Sequence, residues 1–369
     1  MSDMKTPFYY SEALQGYSLG KNHPFKPVRY LRTYELLKGY GVFGEDTPVL
    51  EPNPAPEERL EAVHSRDYLD ALKRASRDPD DPARMAFGLG PGDTPAFAGM
   101  WEAALLCAGA SLDGADEIAS GRCRRAYNVA GGLHHAHKSR ASGFCIINDA
   151  AVAIHRLLET KRRVVYLDID AHHGDGVQGL FYFDPRVLTI SLHESGRWLY
   201  PGTGFPDEIG VDEGRGMSIN VPFAPNTDDE TFLWAFSEVV PRALAEFKPN
   251  AIVTQFGADA HFGDPLAHLA LTTRSYEEIL VFLQVLNIPW LALGGGGYNM
   301  ETVPRIWSMV YAAQADFPLP DELPESYRAK YGGDRLRDDP IELEGADEHS
   351  IRAEAEKAVS QLGKALEWD

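Results

Sequence analysis

VVYLDIDAHHGDG, residues 164–176, is the stretch that decides the fold. Val164-Val165-Tyr166-Leu167 has the length and character of a buried strand, and it ends in three aspartates and two histidines between Asp168 and Asp175. Side chains alternate faces along an extended chain, so Asp168, Asp170 and His172 project to one side if strand geometry continues that far. Two of them can then share one ion. Aspartate oxygen and histidine nitrogen suit zinc or a similar divalent metal, and three protein ligands with an open fourth position mark a catalytic site. A Gly-Asp-Gly turn leaving the core also collects polar residues. That explanation serves one aspartate better than five ionisable groups.

Working outward, apolar runs at 7–10, 126–130, 186–192, 251–256 and 288–293 repeat the strand pattern, while 27–41, 57–76, 95–120, 148–159, 228–246, 274–287 and 302–314 read as helices. The helix over 57–76 has a break near His64-Ser65, and His64 is taken as structural. Buried strands alternating with helices predict an α/β fold, a parallel sheet with helices on both faces. In such sheets ligands bind beyond the carboxyl ends of the strands. Polar clusters follow nearly every strand here: His134-His135, Asp168 to Asp175, His193-Glu194, Asp259 with Asp264, and GGGGY at 294–298. All five are expected to meet at one edge. Residues 45–58 read as loop, and the charged segment 316–369, with a polar helix at 348–366, as an extension to a domain over 1–315.

Composition narrows the class. The 369 residues carry a formal charge of −20 with 44% hydrophobic content, ample for a core and unsuited to a nucleic-acid backbone or an anionic membrane as main partner. Cys107, Cys123 and Cys145 show no CxxC spacing, so neither a disulfide framework nor a cysteine zinc site is expected. The start, MSDMKTPFYY, lacks a basic segment followed by an apolar one, and no apolar run reaches the roughly 18 residues of a membrane span. A cytoplasmic location is the simplest expectation.

For the third metal ligand, Asp264 in GADAHFGDP (257–265) is favoured because Gly263 and Pro265 fix a tight turn; Asp259 competes. Hydrolysis of an unreactive amide would further need a base and an acid, supplied by His134 and His135, with Asp168 and Asp175 accepting their other N–H groups. Tyr298 follows four glycines and can donate to an oxyanion. Gly296 and Gly297 beside it are expected among the substrate-binding positions. The same glycine run could cradle phosphate, but no Lys or Ser/Thr follows in the Walker pattern. Asp93, in the Gly/Pro-rich loop 87–95, reads from chemistry alone as a cap for the helix that follows. Arg29 falls in a helix's first turn, where a cation opposes the dipole; a specific use and a solvated surface position are both open.

The motifs GGLHHAHKSRASGF, DIDAHHGDG, SLHESGRWLYPGTG, GADAHFGDP and LGGGGYN, in this order, resemble those of the zinc-dependent histone deacetylases. FGLGPGDTPAFAGMWEA at 87–103, His261 and His268 are similar to the bacterial acetoin-utilization branch. The likeness covers about residues 8–315 and implies the arginase/deacetylase fold, a single domain with an eight-stranded parallel sheet. It implies Asp170, His172 and Asp264 as zinc ligands, with iron(II) a possible substitute. His134 and His135 resemble tandem catalytic histidines paired to Asp168 and Asp175, and Tyr298 the oxyanion tyrosine. By the same resemblance Gly143 and Phe144 wall an acyl-lysine channel, Asp93 becomes a rim residue rather than a cap, and Arg29 lines an acetate-release channel. Two potassium ions are implied, one at Asp168, Asp170, His172, Ser191 and Leu192, the other around Phe181, Asp184 and Val187.

His137 and His261 depart from the eukaryotic pattern. The resemblance therefore implies deacetylation of acetyl-lysine on bacterial metabolic proteins rather than on histones. Acetylpolyamines or another small acyl amide, a non-catalytic acetyl-lysine-binding protein, and arginase-like hydrolysis at two metals are the competing readings. Metal content per chain and retention of the histidine pair and tyrosine discriminate among them.

Overall fold

The computed structural model describes residues 5–343, 345 and 347–368; residues 1–4, the start of the stretch read above for a leader, lie outside them. In chain order the regular elements are β1 (Phe8–Tyr9), α1 (Val28–Tyr40), β2 (Val49–Leu50), α2 (Glu57–Leu60), α3 (Arg66–Arg77), α4 (Met100–Ala119), β3 (Arg125–Asn128) and α5 (Asp149–Leu158). Then follow β4 (Val164–Asp168), α6 (Asp175–Phe181), β5 (Val187–Glu194), β6 (Ser218–Phe223), α7 (Asp229–Phe247), β7 (Ala251–Gln255), α8 (Thr273–Val285) and β8 (Trp290–Leu293). The chain closes with α9 (Thr302–Gln314), α10 (Glu325–Tyr331) and α11 (Glu348–Ala365).

All eight strands pair in parallel, in the order β2-β1-β3-β8-β7-β4-β5-β6. The central β4 is buried along its whole length, as a strand covered on both faces must be. The break expected near His64-Ser65 separates α2 from α3. Helix α4 starts later than the sequence suggests, at Met100 after a left-handed Gly99 (φ 81°), and no side chain caps it, so Asp93 has no capping role. Two strands escaped the sequence reading. β2 is only two residues long in a Pro/Glu-rich segment, and β6 contains Pro222, which an edge strand tolerates because one row of its backbone groups has no ladder partner.

The three cysteines are buried and free. Helix α11 packs against β6 and α7, burying Ala355 and Leu362, so the C-terminal segment is docked on the sheet. Among the described residues no helix is long and apolar enough to cross a membrane.

Candidate active site

Four neighbouring strands end at one level, and the fifth, β5, runs three residues past it to Glu194. Asn128 of β3 pairs with Leu293 of β8, Leu293 with Gln255 of β7, Gln255 with Asp168 of β4, and Asp168 with Ser191 of β5. From β4 the chain proceeds outward through β5 and β6, then returns to build β7 and β8 on the other side. The order thus reverses at the β7–β4 boundary, where sheets of this kind open a crevice for ligands. Beyond it come His134-His135, the Asp170–His172 turn, the 257–264 turn and the 294–298 glycine run. His193 and Glu194 turn to other work: His193 bonds Ser191 Oγ and the Gly204 carbonyl, and Glu194 holds His268.

Both histidines of the tandem are buried and each has a carboxylate partner. His134 Nδ1 donates to Asp168 Oδ2 (2.7 Å), which also accepts the Tyr166 hydroxyl (2.8 Å). His135 Nδ1 donates to Asp175 Oδ1 (2.7 Å), and the two Nε2 atoms lie 3.0 Å apart. One Nε2 must therefore donate to the other. Burial opposes a charge on His134, but Asp168 and Asp170 outweigh it and raise its pKa to about 9. Burial, followed by the neighbouring His134, depresses His135 to about 3. Their surroundings thus push the two imidazoles in opposite directions. Asp175 is held below the ordinary carboxylate range: burial works the other way, but His135 and His137 outweigh it, His137 Nε2 lying 3.2 Å from Asp175 Oδ2. His137 had been read only as a departure from pattern, since nothing local in the sequence ties it to a residue 38 positions on.

Asp170 and His172 meet as expected. His172 Nδ1 lies 3.1 Å from Asp170 Oδ1 and 3.1 Å from Asp259 Oδ2. Asp170, His172 and Asp259 are the one group of metal-capable side chains this compact among the described residues. Atoms coordinating zinc tetrahedrally at ~2.0–2.2 Å stand about 3.3 Å apart, so the spacing fits a metal. The charge fits too: burial disfavours an imidazolium at His172, yet the Asp170 and Asp259 carboxylates outweigh it and lift its pKa well above normal, a negative excess that a dication would neutralise. The carboxylate brought to the pair is thus Asp259, the competitor, and not Asp264, the third ligand the sequence favours, which lies outside this group. Asp264 Oδ2 accepts the Tyr298 N–H (2.7 Å) and its Oδ1 the Leu266 N–H (2.9 Å). Gln255, unremarked in the sequence, donates to Asp170 Oδ2 (2.6 Å), which also takes the Gly296 N–H (2.8 Å).

Tyr298 packs edge-on to Phe144 (centroids 5.7 Å), and Phe144 edge-on to His23 (4.4 Å). Burial, then Asp259 and Asp170, raise the Tyr298 pKa well above normal, so its hydroxyl keeps its proton. Gly143 and Phe144 both have positive φ (52° and 68°), and a Cβ on Gly143 would lie 2.6 Å from His135 Cγ. Asp93 Oδ2 accepts the Gly143 N–H (2.9 Å), tying the Gly/Pro-rich loop to this turn. Arg29 is no surface residue. It is 1% exposed, its guanidinium lies over Phe25 (4.3 Å) and Trp307 (4.9 Å), and Nη1 donates to Gly297 O (2.9 Å). His64 pins the histidine loop, meeting the His137 carbonyl and accepting the Asn148 N–H. Ser191 and Leu192 lie on β5 beside Asp168; Phe181, Asp184 and Val187 lie on the α6–β5 connection.

Comparison with known proteins agrees with this geometry. Residues 23–314 match the family model described as histone deacetylase domain. Acetoin utilization protein AcuC of Bacillus subtilis is 44% identical over 333 residues, covering 88% of this chain and 86% of the relative. Human histone deacetylase 1 is 38% identical over 334 residues, 89% of this chain and 68% of the relative. The crystal structure of an HDAC homolog from Aquifex aeolicus superposes with a TM-score of 0.87 at 28% identity, covering 96% of this chain and 100% of that one. The chain belongs to the histone deacetylase family and is a deacetylase enzyme.

Proposed function

We propose that this enzyme hydrolyses the acetyl amide of acetyl-lysine, releasing acetate and free lysine, with a divalent metal at the Asp170–His172 turn. The observation that carries the reading is the pair of buried His–Asp couples, set against a buried two-carboxylate, one-imidazole group that has a protonated tyrosine nearby. A bound zinc, or iron(II), would supply Lewis acidity toward water and the amide carbonyl. Asp170, His172 and Asp259, whose donor atoms converge, would hold it. Asp264, the ligand the family resemblance implies, stands beside this group with its two oxygens engaged by the Tyr298 and Leu266 N–H groups.

The protein groups divide the proton work. The two imidazoles, each held by its own carboxylate, divide the taking of a proton from water and the giving of one to the leaving amine, as general acid–base catalysis needs. Asp168 and Asp175 fix the tautomers. Tyr298 donates to the developing oxyanion. Phe144 and Gly143 wall the lysine methylenes, Gly296 and Gly297 leave room at the acyl end, and Asp93 orders the rim. Arg29, whose Nε is buried without a partner, suits a departing acetate. Potassium at the β4–β5 and α6–β5 positions named above completes the proposed cofactor set.

The proposed partners are acetylated proteins or peptides of a bacterial cytoplasm, consistent with the acetoin-utilization relative. A net charge of −20 keeps acetylpolyamines as a second reading. Turnover of an acetyl-lysine peptide by protein carrying one zinc per chain, compared with Tyr298→Phe and with acetylspermidine, tests both. Equal turnover by Tyr298→Phe and wild type refutes the mechanism.

A further inference from the structure

We propose that Asp338, in the segment that follows the matched family domain, is a positioning residue for the metal-binding turn and acts through His261. His261 stands between Asp259 and Asp264 and is 1% exposed. Its Nδ1 accepts the Gly263 N–H (3.0 Å), so the neutral ring carries its proton on Nε2, which donates to Asp338 Oδ2 (2.9 Å). The main chain of the same residue accepts the Asp264 N–H (2.9 Å), and Asn299 ties the Gly263 carbonyl from the Tyr298 side (2.8 Å). One imidazole thus braces the turn between both candidate carboxylates, and its tautomer is set by a residue 77 positions away.

Asp338 is itself anchored to two helices. Its Oδ1 accepts Arg305 Nη1 of α9 (2.9 Å), its Oδ2 accepts the Thr273 N–H at the start of α8 (3.0 Å), and its own N–H donates to Thr273 Oγ1 (2.9 Å). Arg305 also donates to the Leu336 carbonyl. A carboxylate so fully bonded is a fixed strut, and what it props is the segment bearing Asp259 and Asp264. Groups that orient ligands through hydrogen bonds control metal affinity without touching the metal. The C-terminal segment is in this way part of the site's frame.

The inference rests on the metal reading above, and the test separates the two. In the full-length chain, Asp338→Ala is expected to weaken zinc affinity, measured by chelator competition, about 10- to 100-fold. It should lower kcat for an acetyl-lysine peptide and leave KM unchanged. Arg335→Ala, which breaks ion pairs with Asp321 and Asp339 in the same segment, should change neither. His261→Asn should reproduce the loss, and adding Asp338→Ala to it should cost little more, because the two act in series. If Asp338→Ala does not fold, Asp338→Asn replaces it, with a smaller loss in the same direction. Unchanged zinc affinity in a folded Asp338 variant, a lower Tm with affinity intact, or fully additive losses with His261→Asn would overturn the proposal. Failure of the wild-type protein to bind zinc would overturn the metal reading and this inference with it.

Discussion

Gly296→Ala tests the metal seat with one methyl group. The backbone at Gly296 is not left-handed, so any effect is steric. A Cβ there would sit 2.7 Å from Asp170 Oδ2 and 2.7 Å from Asp259 Cγ, and nearer still to Asp259 Oδ2. Ordinary contact needs roughly 3.5 Å, so the carboxylates must retreat by about 0.8 Å or more, beyond the ~0.2 Å tolerance of metal–ligand distances. They cannot do so freely. Asp170 Oδ2 is held by Gln255 and the Gly296 N–H, and Asp259 Oδ1 by the Ala171 N–H (3.0 Å). Loss of one such charged hydrogen bond costs about 2 kcal/mol and of two about 4 kcal/mol, which is roughly 30- to 1000-fold in zinc affinity. Calorimetric zinc titration of the metal-free protein reads this directly, with Gly179→Ala, whose Cβ would meet nothing within 4 Å, as control. Zinc binding within threefold of wild type by a folded Gly296→Ala protein would refute the reasoning.

Asp259→Asn should abolish stoichiometric zinc, whereas Asp264→Asn should retain it more weakly; metal analysis of the purified variants decides, and the reverse order would transfer the ligand role to Asp264. Phe144→Ala should raise KM for an acetyl-lysine peptide about tenfold with bound metal unchanged, since only the channel wall is lost. Burial holds His64 neutral and lowers its pKa to about 4 from 6.5. Between those values the unfolded chain binds the extra proton, so stability falls as pH drops from 6.5 to 4, by up to about 3 kcal/mol from this residue. Thermal melts of His64→Gln should then show a shallower pH slope than wild type, and parallel curves would contradict it. Leu362→Ala in α11 should cost 2–5 kcal/mol in a denaturant titration if the C-terminal helix belongs to the core.

What the sequence disclosed follows from where information is local. A buried strand ending in DIDAHHGDG announces both its place in the sheet and its chemistry, and the tandem histidines and the tyrosine after four glycines do the same. Strand β2 was lost because two residues carry no period, β6 because its proline argues against a central strand, and α6 because it begins inside a Gly-Asp-Gly sequence that reads as a turn. Asp93 sits two residues before a stretch read as helix, but the helix starts only at Met100 and the Asp93 carboxylate serves Gly143 instead. The bracing of Asp175 by His137, of Asp170 by Gln255 and of His261 by Asp338 joins residues 38, 85 and 77 positions apart. Such pairings leave no mark on spacing or hydrophobic pattern and appear only when the chain is folded.

Because the strands stop flush, the groups that do chemistry arrive late and together. A ribosome must have released residues beyond Tyr298 before β8 can dock on β3 and β7, and until then the histidines, though already paired to Asp168 and Asp175, lack the tyrosine and glycine run on the other side of the site. Partial products of translation or proteolysis should therefore be wholly inert rather than weakly active, and competence should appear in a single late step of assembly, as expected where contacts join distant parts of a chain.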